Sequence, residues 1–293
     1  MTEYRPARPY RLFAPAKVNL GLEVTGKRAD GFHDVVTVLE SVSVFDVIDV
    51  WASDRPGLVS PSQADNGEDL VEGTLRALEA ETGIRPMVRV RISKHIPLSA
   101  GLGGGSSDAG TILGAIARAT DVREDVITEI AASLGSDVPF FLHGGLALAS
   151  GTGTELEFLD TPGRRWYVIV VPEIAIPGKT GHLYRRLDED DFSDGSVTRQ
   201  VAETLRRGDS MHKLDLVNAF ERPLLAFDPV QTTLTALRGN ATGPVLPSGA
   251  GPACIAVFKT RQEAAKVARP LRAVWPTTLI ATSVRRDINV RHW

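Results

Sequence analysis

The chain has one cysteine, Cys254, so it can form no internal disulfide. Its neighbours Ala253, Ile255, Ala256 and Val257 predict a buried strand and a packed thiol rather than a nucleophile. Nowhere do 18 apolar residues follow one another, so no membrane-crossing helix is expected. The stretch from Met1 to Arg11 carries arginines and prolines but no apolar run of signal-peptide length, which leads us to expect a cytoplasmic protein. The six histidines, at 33, 95, 143, 182, 212 and 292, form no HxxxH or Cys/His cluster, and a structural zinc site would lack its ligands. Basic excess is missing too: 33 Lys and Arg face 36 Asp and Glu, for a net charge of −3. No general positive field exists to draw nucleic acid or an anionic membrane, and small ligands are the expected partners. Internal repeats and low-complexity tracts are also absent.

At 293 residues and 43% hydrophobic, the chain can bury a large core and is long enough for two domains. Val18, Leu20, Leu22 and Val24 alternate, as do Val36, Val38, Val42, Val44, Val47 and Val50 after a polar turn, which predicts an opening pair of long strands. A polar loop near 53–66 leads to a helix over about 69–82, then a strand over 87–94 with Val88, Val90 and Ile92 on one face. Val126, Ile127, Ile130 and Leu134 make the apolar stripe of a helix over about 123–134, with Gly135 suited to its C-cap. Thr161-Pro162-Gly163 reads as the boundary between domains 1–162 and 163–293. The second half reads as a strand, several helices between about 178 and 238, and a closing strand, helix and strand over 253–282. That alternation makes the fold class α+β.

The most informative segment is Pro97-Leu98-Ser99-Ala100-Gly101-Leu102-Gly103-Gly104-Gly105-Ser106-Ser107. It follows the 87–94 strand and precedes Ala109, Ile112, Leu113, Ile116 and Ala117 at helical spacing, so it joins strand to helix. Glycines without Cβ let backbone N–H groups converge on an anion, and the positive end of the helix dipole adds to the attraction. A nucleotide phosphate is the first ligand to consider. A Walker loop would need a lysine, and none lies between Gly101 and Thr120. A dinucleotide fingerprint would need glycine where Ser106 stands.

Three further strings carry chemistry. In Pro15-Ala16-Lys17-Val18-Asn19-Leu20 the two-residue strand period sends Lys17 and Asn19 to one face, which is either a solvated face or a paired cation and amide. An Asp30-Gly31 turn precedes Phe32 and His33; the ring could stack on a nucleobase and the imidazole bond its edge, while a phenylalanine taken by itself is more often a core residue. Asp137 stands at an apparent helix start before Val138-Pro139-Phe140-Phe141, where simple capping would explain it. Finally, Pro247-Ser248-Gly249-Ala250-Gly251-Pro252 is a glycine turn before the Cys254 strand.

Taken in order along the chain, PAKVNLGLEVTGKRADGFH, PLSAGLGGGSSDAG, GSDVPFF and PSGAGPAC resemble the GHMP kinases, and within them the branch with a D-G-aromatic-H loop. The resemblance implies a two-domain fold: an N-terminal domain like the second domain of ribosomal protein S5 and a C-terminal ferredoxin-like domain, with the active site between them. It implies ATP-dependent phosphorylation of the 2-hydroxyl of a cytidine-diphosphate-linked methylerythritol in non-mevalonate isoprenoid synthesis, with Mg²⁺ arriving on the nucleotide. By position it makes Asp137 and Lys17 the catalytic pair and Asn19, Phe32 and His33 the substrate contacts. Residues 97–107 become the phosphate loop, Lys94 a neighbour of the adenosine site, and Gly249 and Gly251 the glycine motif that approaches the same cleft. Ser106 or Ser107 is the residue expected to reach the metal. A monomer or a homodimer would suit such an enzyme.

Several positions depart from the family pattern. Phe32 replaces a usual tyrosine, Ala250 a serine or threonine, and Asp69 falls where an adenine-contacting asparagine is common. In Val217-Asn218-Ala219-Phe220-Glu221, alanine takes an aspartate's place, and no role is assigned there.

Magnitudes constrain the mechanism. Full proton transfer from an alcohol comparable to water, pKa about 15.7, to an ordinary aspartate at about 3.9 would cost roughly 16 kcal/mol. A loose phosphoryl-transfer transition state needs little nucleophilic push, so Asp137 is expected to orient the hydroxyl and accept its proton late. Lys17 would balance charge nearby. Kinases of other small alcohols, a non-catalytic sensor of the same fold and a dinucleotide-dependent oxidoreductase are the competing readings. The D-G-F-H loop, the presence of both Asp137 and Lys17, and the missing third glycine weigh against them respectively.

Overall fold

The computed structural model describes residues 2–59, 70–160, 163–211, 214–285 and 290–292. Asp69 and the proposed boundary residues Thr161 and Pro162 lie outside the described residues. The first half runs β1 (Thr2–Tyr4), β2 (Tyr10–Lys27), β3 (His33–Ala52), β4 (Leu58–Val59), α1 (Leu70–Thr82), β5 (Ile84–Pro86) and β6 (Val88–Ser93). It continues with α2 (Gly104–Thr120), α3 (Glu124–Leu134), α4 (Val138–Phe141), β7 (Leu146–Ser150) and β8 (Glu155–Phe158). The second half runs β9 (Trp166–Val170), α5 (Lys179–Tyr184), α6 (Ser196–Arg206), α7 (Glu221–Leu224), α8 (Asp228–Asn240), β10 (Val245–Pro247), β11 (Cys254–Phe258), α9 (Arg261–Leu271), β12 (Thr278–Thr282) and β13 (Val290–His292).

β2 and β3 form a long antiparallel hairpin at the centre of a sheet ordered β13-β2-β3-β6-β4, with β7 and β8 added along the far end of β3. Val18, Leu20 and Val24 of the alternation seen in the sequence are fully buried, as are Val38, Val42 and Val50, whereas Val44 and Val47 are half-buried and Ile48 takes the interior position beside them. Helices α1, α2 and α3 cover one face, where Leu75, Leu78, Ile112, Leu113 and Ile116 pack on Leu12, Ile48, Val88 and Val90. Burying such side chains contributes roughly 1.5–3 kcal/mol each before entropy is counted.

The later strands make a second, antiparallel sheet ordered β10-β11-β9-β12, with α8 and α9 on one face. A strand, helices, two strands, a helix and a strand in chain order, with the first strand lying between the third and the fourth in the sheet, is the ferredoxin-like arrangement. Its other face, with Tyr167, Ile169, Ile255 and Val257, packs with α6 against Val18, Leu20, Val38 and Val42 of the first sheet. Polar contacts join the same surfaces: the Arg165 guanidinium and the Tyr167 hydroxyl both donate to the buried Glu40 carboxylate. Cys254 is fully buried in β11, and burial pushes its thiol pKa well up. β13 pairs with the start of β2, Val290 opposite Leu12, and so returns the chain to the first sheet.

Candidate active site

The glycine segment joins β6 to α2, with Gly103 at the N-cap in a left-handed conformation, φ 73°. Four successive carbonyls of this loop are occupied by donors from other elements. Ser99 O accepts from Lys179 Nζ at 2.5 Å, Ala100 O from Ala253 N at 3.0 Å, Gly101 O from Ser248 Oγ at 3.2 Å and Leu102 O from Lys17 N at 2.9 Å. With the oxygens so engaged and the first N–H groups of α2 lacking intrahelical partners, the loop offers donors to an anion. Close approach explains two of the glycines. A Cβ on Gly101, φ 83°, would lie 2.3 Å from Ser248 O, and one on Gly103 would meet the Phe141 ring at 2.9 Å and Lys17 Cγ at 3.0 Å. Ser99 adopts φ 50° without being glycine, a conformation this well-braced loop sustains.

Lys17 and Asn19 share one face of β2, as the strand period required, and both are nearly fully buried. Lys17 Nζ donates to Asn19 Oδ1 at 2.8 Å, Asn19 Nδ2 to Thr37 Oγ1 at 2.8 Å, and Thr37 Oγ1 to Gly21 O at 2.6 Å. The register of β2 against β3 shifts on both sides of this pair, between Pro15 and Ala16 and between Asn19 and Leu22. Such irregularities re-aim side chains beside sites.

Asp137 directly precedes α4 but its side chain makes no capping hydrogen bond, so capping does not account for it. Its Oδ2 lies 3.5 Å from Lys17 Nζ, and its side chain retains 35% exposure. The late glycine turn closes the group: a Cβ on Gly249 would stand 3.1 Å from both Lys17 Nζ and Asn19 Oδ1, and Gly251 O accepts from Lys179 Nζ. Cation, amide, carboxylate and glycine turn are thus gathered at the mouth of the glycine loop.

Phe32 is not core. It is 66% exposed at the β2–β3 turn, where its N–H is held by Asp30 Oδ1 at 3.0 Å. His33 is turned elsewhere: its ring stacks on Tyr184, with centroids 4.6 Å apart and planes 18° from parallel, while Phe192 meets it edge-on at 6.0 Å. Burial, and then the Lys27 charge, lowers the His33 pKa. The Tyr184 pKa is pushed up to about 12 by burial first and the Asp137 charge second. Tyr184 escaped the sequence reading because it lies in no recognisable motif.

Two of the expected residues have ties that the sequence does not show. Lys94 Nζ, just before the loop, donates to Asp46 at 2.5 Å and to Asp108 at 2.6 Å. Burial opposes its charge, but Asp108 and Asp46 outweigh burial and raise its pKa. The Ser107 hydroxyl is buried and donates to Pro15 O at 2.6 Å, which leaves Ser106 as the serine with a free approach. Asn218 was assigned no role, yet its buried amide donates to Pro247 O and Gly249 O, both at 2.9 Å, and so fixes the late glycine turn. Ala219 beside it contributes its backbone N–H to Leu22 O at 2.9 Å, which any residue could supply.

The fold and this loop are those of the GHMP kinases: the family models for the GHMP kinases N terminal domain and the GHMP kinases C terminal match residues 69–145 and 201–277. A 4-diphosphocytidyl-2-C-methyl-D-erythritol kinase of Anaeromyxobacter sp. (strain K) is 34% identical, over 96% of this chain and 92% of its own. One from Persephonella marina is 43% identical over 61% of this chain and 66% of its own. A crystal structure of a 4-(cytidine 5'-diphospho)-2C-methyl-D-erythritol kinase superposes with TM-score 0.77 at 32% identity, covering 93% of this chain and 98% of that one. Homoserine kinase from Cytophaga hutchinsonii shares the fold, TM-score 0.74, at 16% identity. The chain belongs to the 4-diphosphocytidyl-2-C-methyl-D-erythritol kinase family.

Proposed function

We propose that this protein is an ATP-dependent kinase that transfers the γ-phosphoryl group to the 2-hydroxyl of 4-diphosphocytidyl-2-C-methyl-D-erythritol, a step of non-mevalonate isoprenoid synthesis. The observation that carries the reading is the 3.5 Å approach of Lys17 and Asp137 beside the amide-lined loop. Asp137 orients the hydroxyl and receives its proton late, since prior deprotonation would cost roughly 16 kcal/mol. Lys17, fixed by Asn19, offsets charge that builds on the transferred group. Asn19 also faces the substrate's polar end.

The amides of residues 101–106 hold the phosphates, with Pro97 to Ala100 shaping the approach and Gly249 and Gly251 allowing the opposite wall to come close. Mg²⁺ reaches the site as part of the nucleotide. Ser106 would hold it, because the Ser107 hydroxyl is committed to Pro15 O, and the metal would neutralise phosphate charge. The exposed Phe32 ring and the His33–Tyr184 stack supply an aromatic grip for cytosine. The membership of β2, β3, β4 and β6–β8 in one sheet and of β9–β12 in another supports a division of the chain into domains 1–162 and 163–293. Among the described residues no helix is long and apolar enough to cross a membrane. The charged, membrane-impermeant substrates suit a cytoplasmic reaction.

A phosphorus-NMR assay tests the reading: purified protein with Mg-ATP and, separately, cytidine-diphosphate methylerythritol, free methylerythritol phosphate, mevalonate, homoserine or galactose. Selective turnover of the first compound is expected. Preference for any other alcohol would overturn the substrate, and turnover of none would overturn the kinase.

A further inference from the structure

Two lysines outside the catalytic pair touch the phosphate loop, and they differ in one respect. Lys94 is neutralised by two carboxylates. Lys179, the first residue of α5, has no carboxylate partner among the described residues; its Nζ donates only to two neutral carbonyls, Ser99 O at the loop entrance and Gly251 O on the late glycine turn. It is half-buried there. An ammonium desolvated against neutral acceptors retains an unbalanced charge, which an anion in the cradle would balance. The loop itself has no lysine for a terminal phosphate, and Lys179 reaches its mouth from the other half of the chain.

We infer that Lys179 is a phosphate-binding residue whose ammonium engages the terminal phosphate of the bound nucleoside triphosphate, the place a Walker lysine takes in other phosphate loops. This rests on the kinase reading above and adds to it a residue that no motif announced. Burial first, and then repulsion from the Lys17 ammonium on β2, lowers the Lys179 pKa to about 8. The charged groups facing it are Lys17 and, through Lys17, Asp137; the Ser99 and Gly251 segments contribute only carbonyls. The cation is therefore mostly present at pH 7 and is lost from the free protein as pH rises through about 8.

The test is calorimetric titration of wild type, Lys179→Gln and Lys179→Arg with Mg²⁺ and either ADP or the β,γ-imido analogue of ATP. Lys179→Gln keeps hydrogen-bond donors for the two carbonyls but removes the charge, so it separates an electrostatic role from a purely structural tie. It should weaken the triphosphate analogue about tenfold or more and ADP less than twofold, with Lys179→Arg within about threefold of wild type for both. Wild-type affinity for the analogue should fall above pH 8, and that of Lys179→Arg should not. Equal weakening of both nucleotides, no weakening of either, or failure of arginine to restore binding would overturn the assignment. If Lys179→Gln binds and turns over substrate like wild type, only Lys179 is wrongly placed; if wild type binds no nucleotide, the kinase reading falls with it.

Discussion

Lys17 Nζ and Asp137 Oδ2 lie 3.5 Å apart although one belongs to the first long strand and the other precedes the short helix α4. The strand and α2, packed together, bring the two segments into register: Ser107 of α2 bonds Pro15 O, and Leu102 O receives the Lys17 N–H. Neither contact uses the side chain of Lys17 or Asp137, so either can be replaced without breaking them. Asp137→Asn should lower kcat by about 10²–10⁴-fold while nucleotide affinity changes little. Lys17→Met should do likewise at some added cost in stability, because Asn19 Oδ1 loses its donor. Steady-state kinetics with nucleotide titration check both, and near-normal turnover by the asparagine variant would remove Asp137 from the mechanism.

Phe32 exposes most of a large apolar ring at a turn, open to stacking by a base. Stacking on a base is worth roughly 1–3 kcal/mol. Phe32→Ala should therefore raise KM for the cytidylyl substrate about 5- to 100-fold, leave KM for ATP unchanged and hardly shift the melting temperature. Equal effects on both KM values would refute a role confined to the base.

Gly101 and Gly105 offer a contrast within one loop. Alanine at 101, φ 83°, would put its Cβ 2.3 Å from Ser248 O and 2.9 Å from Gly251 O, and both are backbone atoms, so the late glycine turn must move. The left-handed conformation alone costs about 1–2 kcal/mol for a residue with a Cβ. At 105 the nearest atom to a new Cβ is 4.0 Å away and the backbone is helical. Denaturant melts should show Gly101→Ala less stable by several kcal/mol and Gly105→Ala unchanged or steadier by about 0.4–1 kcal/mol. Comparable losses at both positions would contradict the packing described here.

His33 should make stability pH-dependent in one direction. Its folded pKa is lowered, so the unfolded chain takes up a proton first as pH falls below the ordinary histidine range near 6.5. The folded state then loses stability until the half-buried ring also protonates. Between pH 7.5 and 5, wild type should lose stability relative to His33→Phe, which keeps a ring against Tyr184 but cannot titrate. A difference independent of pH would show that desolvation of His33 has no energetic weight.

Much of this was legible in the residues, for identifiable reasons. The period of two placed Lys17 beside Asn19, and the 3.6-residue recurrence from Ala109 placed α2 after the glycine loop. Asp137 was ambiguous because a carboxylate before a Val-Pro helix start looks like a cap until its missing capping bond and the nearby lysine are seen. Tyr184, Lys179 and Asn218 were silent, since their partners come from remote segments: His33, Ser99 and Pro247. The edge strand β13 was equally unannounced, as three residues carry no readable period.

The oxygen edge of the glycine loop is dressed largely by the later half of the chain, through Lys179, Ser248 and Ala253. A fragment ending near residue 160 would keep every glycine and lose those donors, leaving carbonyl dipoles free to swing toward the ligand and repel it. Grafting the loop alone onto another scaffold would fail for the same reason. Nucleotide affinity in this protein is a property of the seam between its halves.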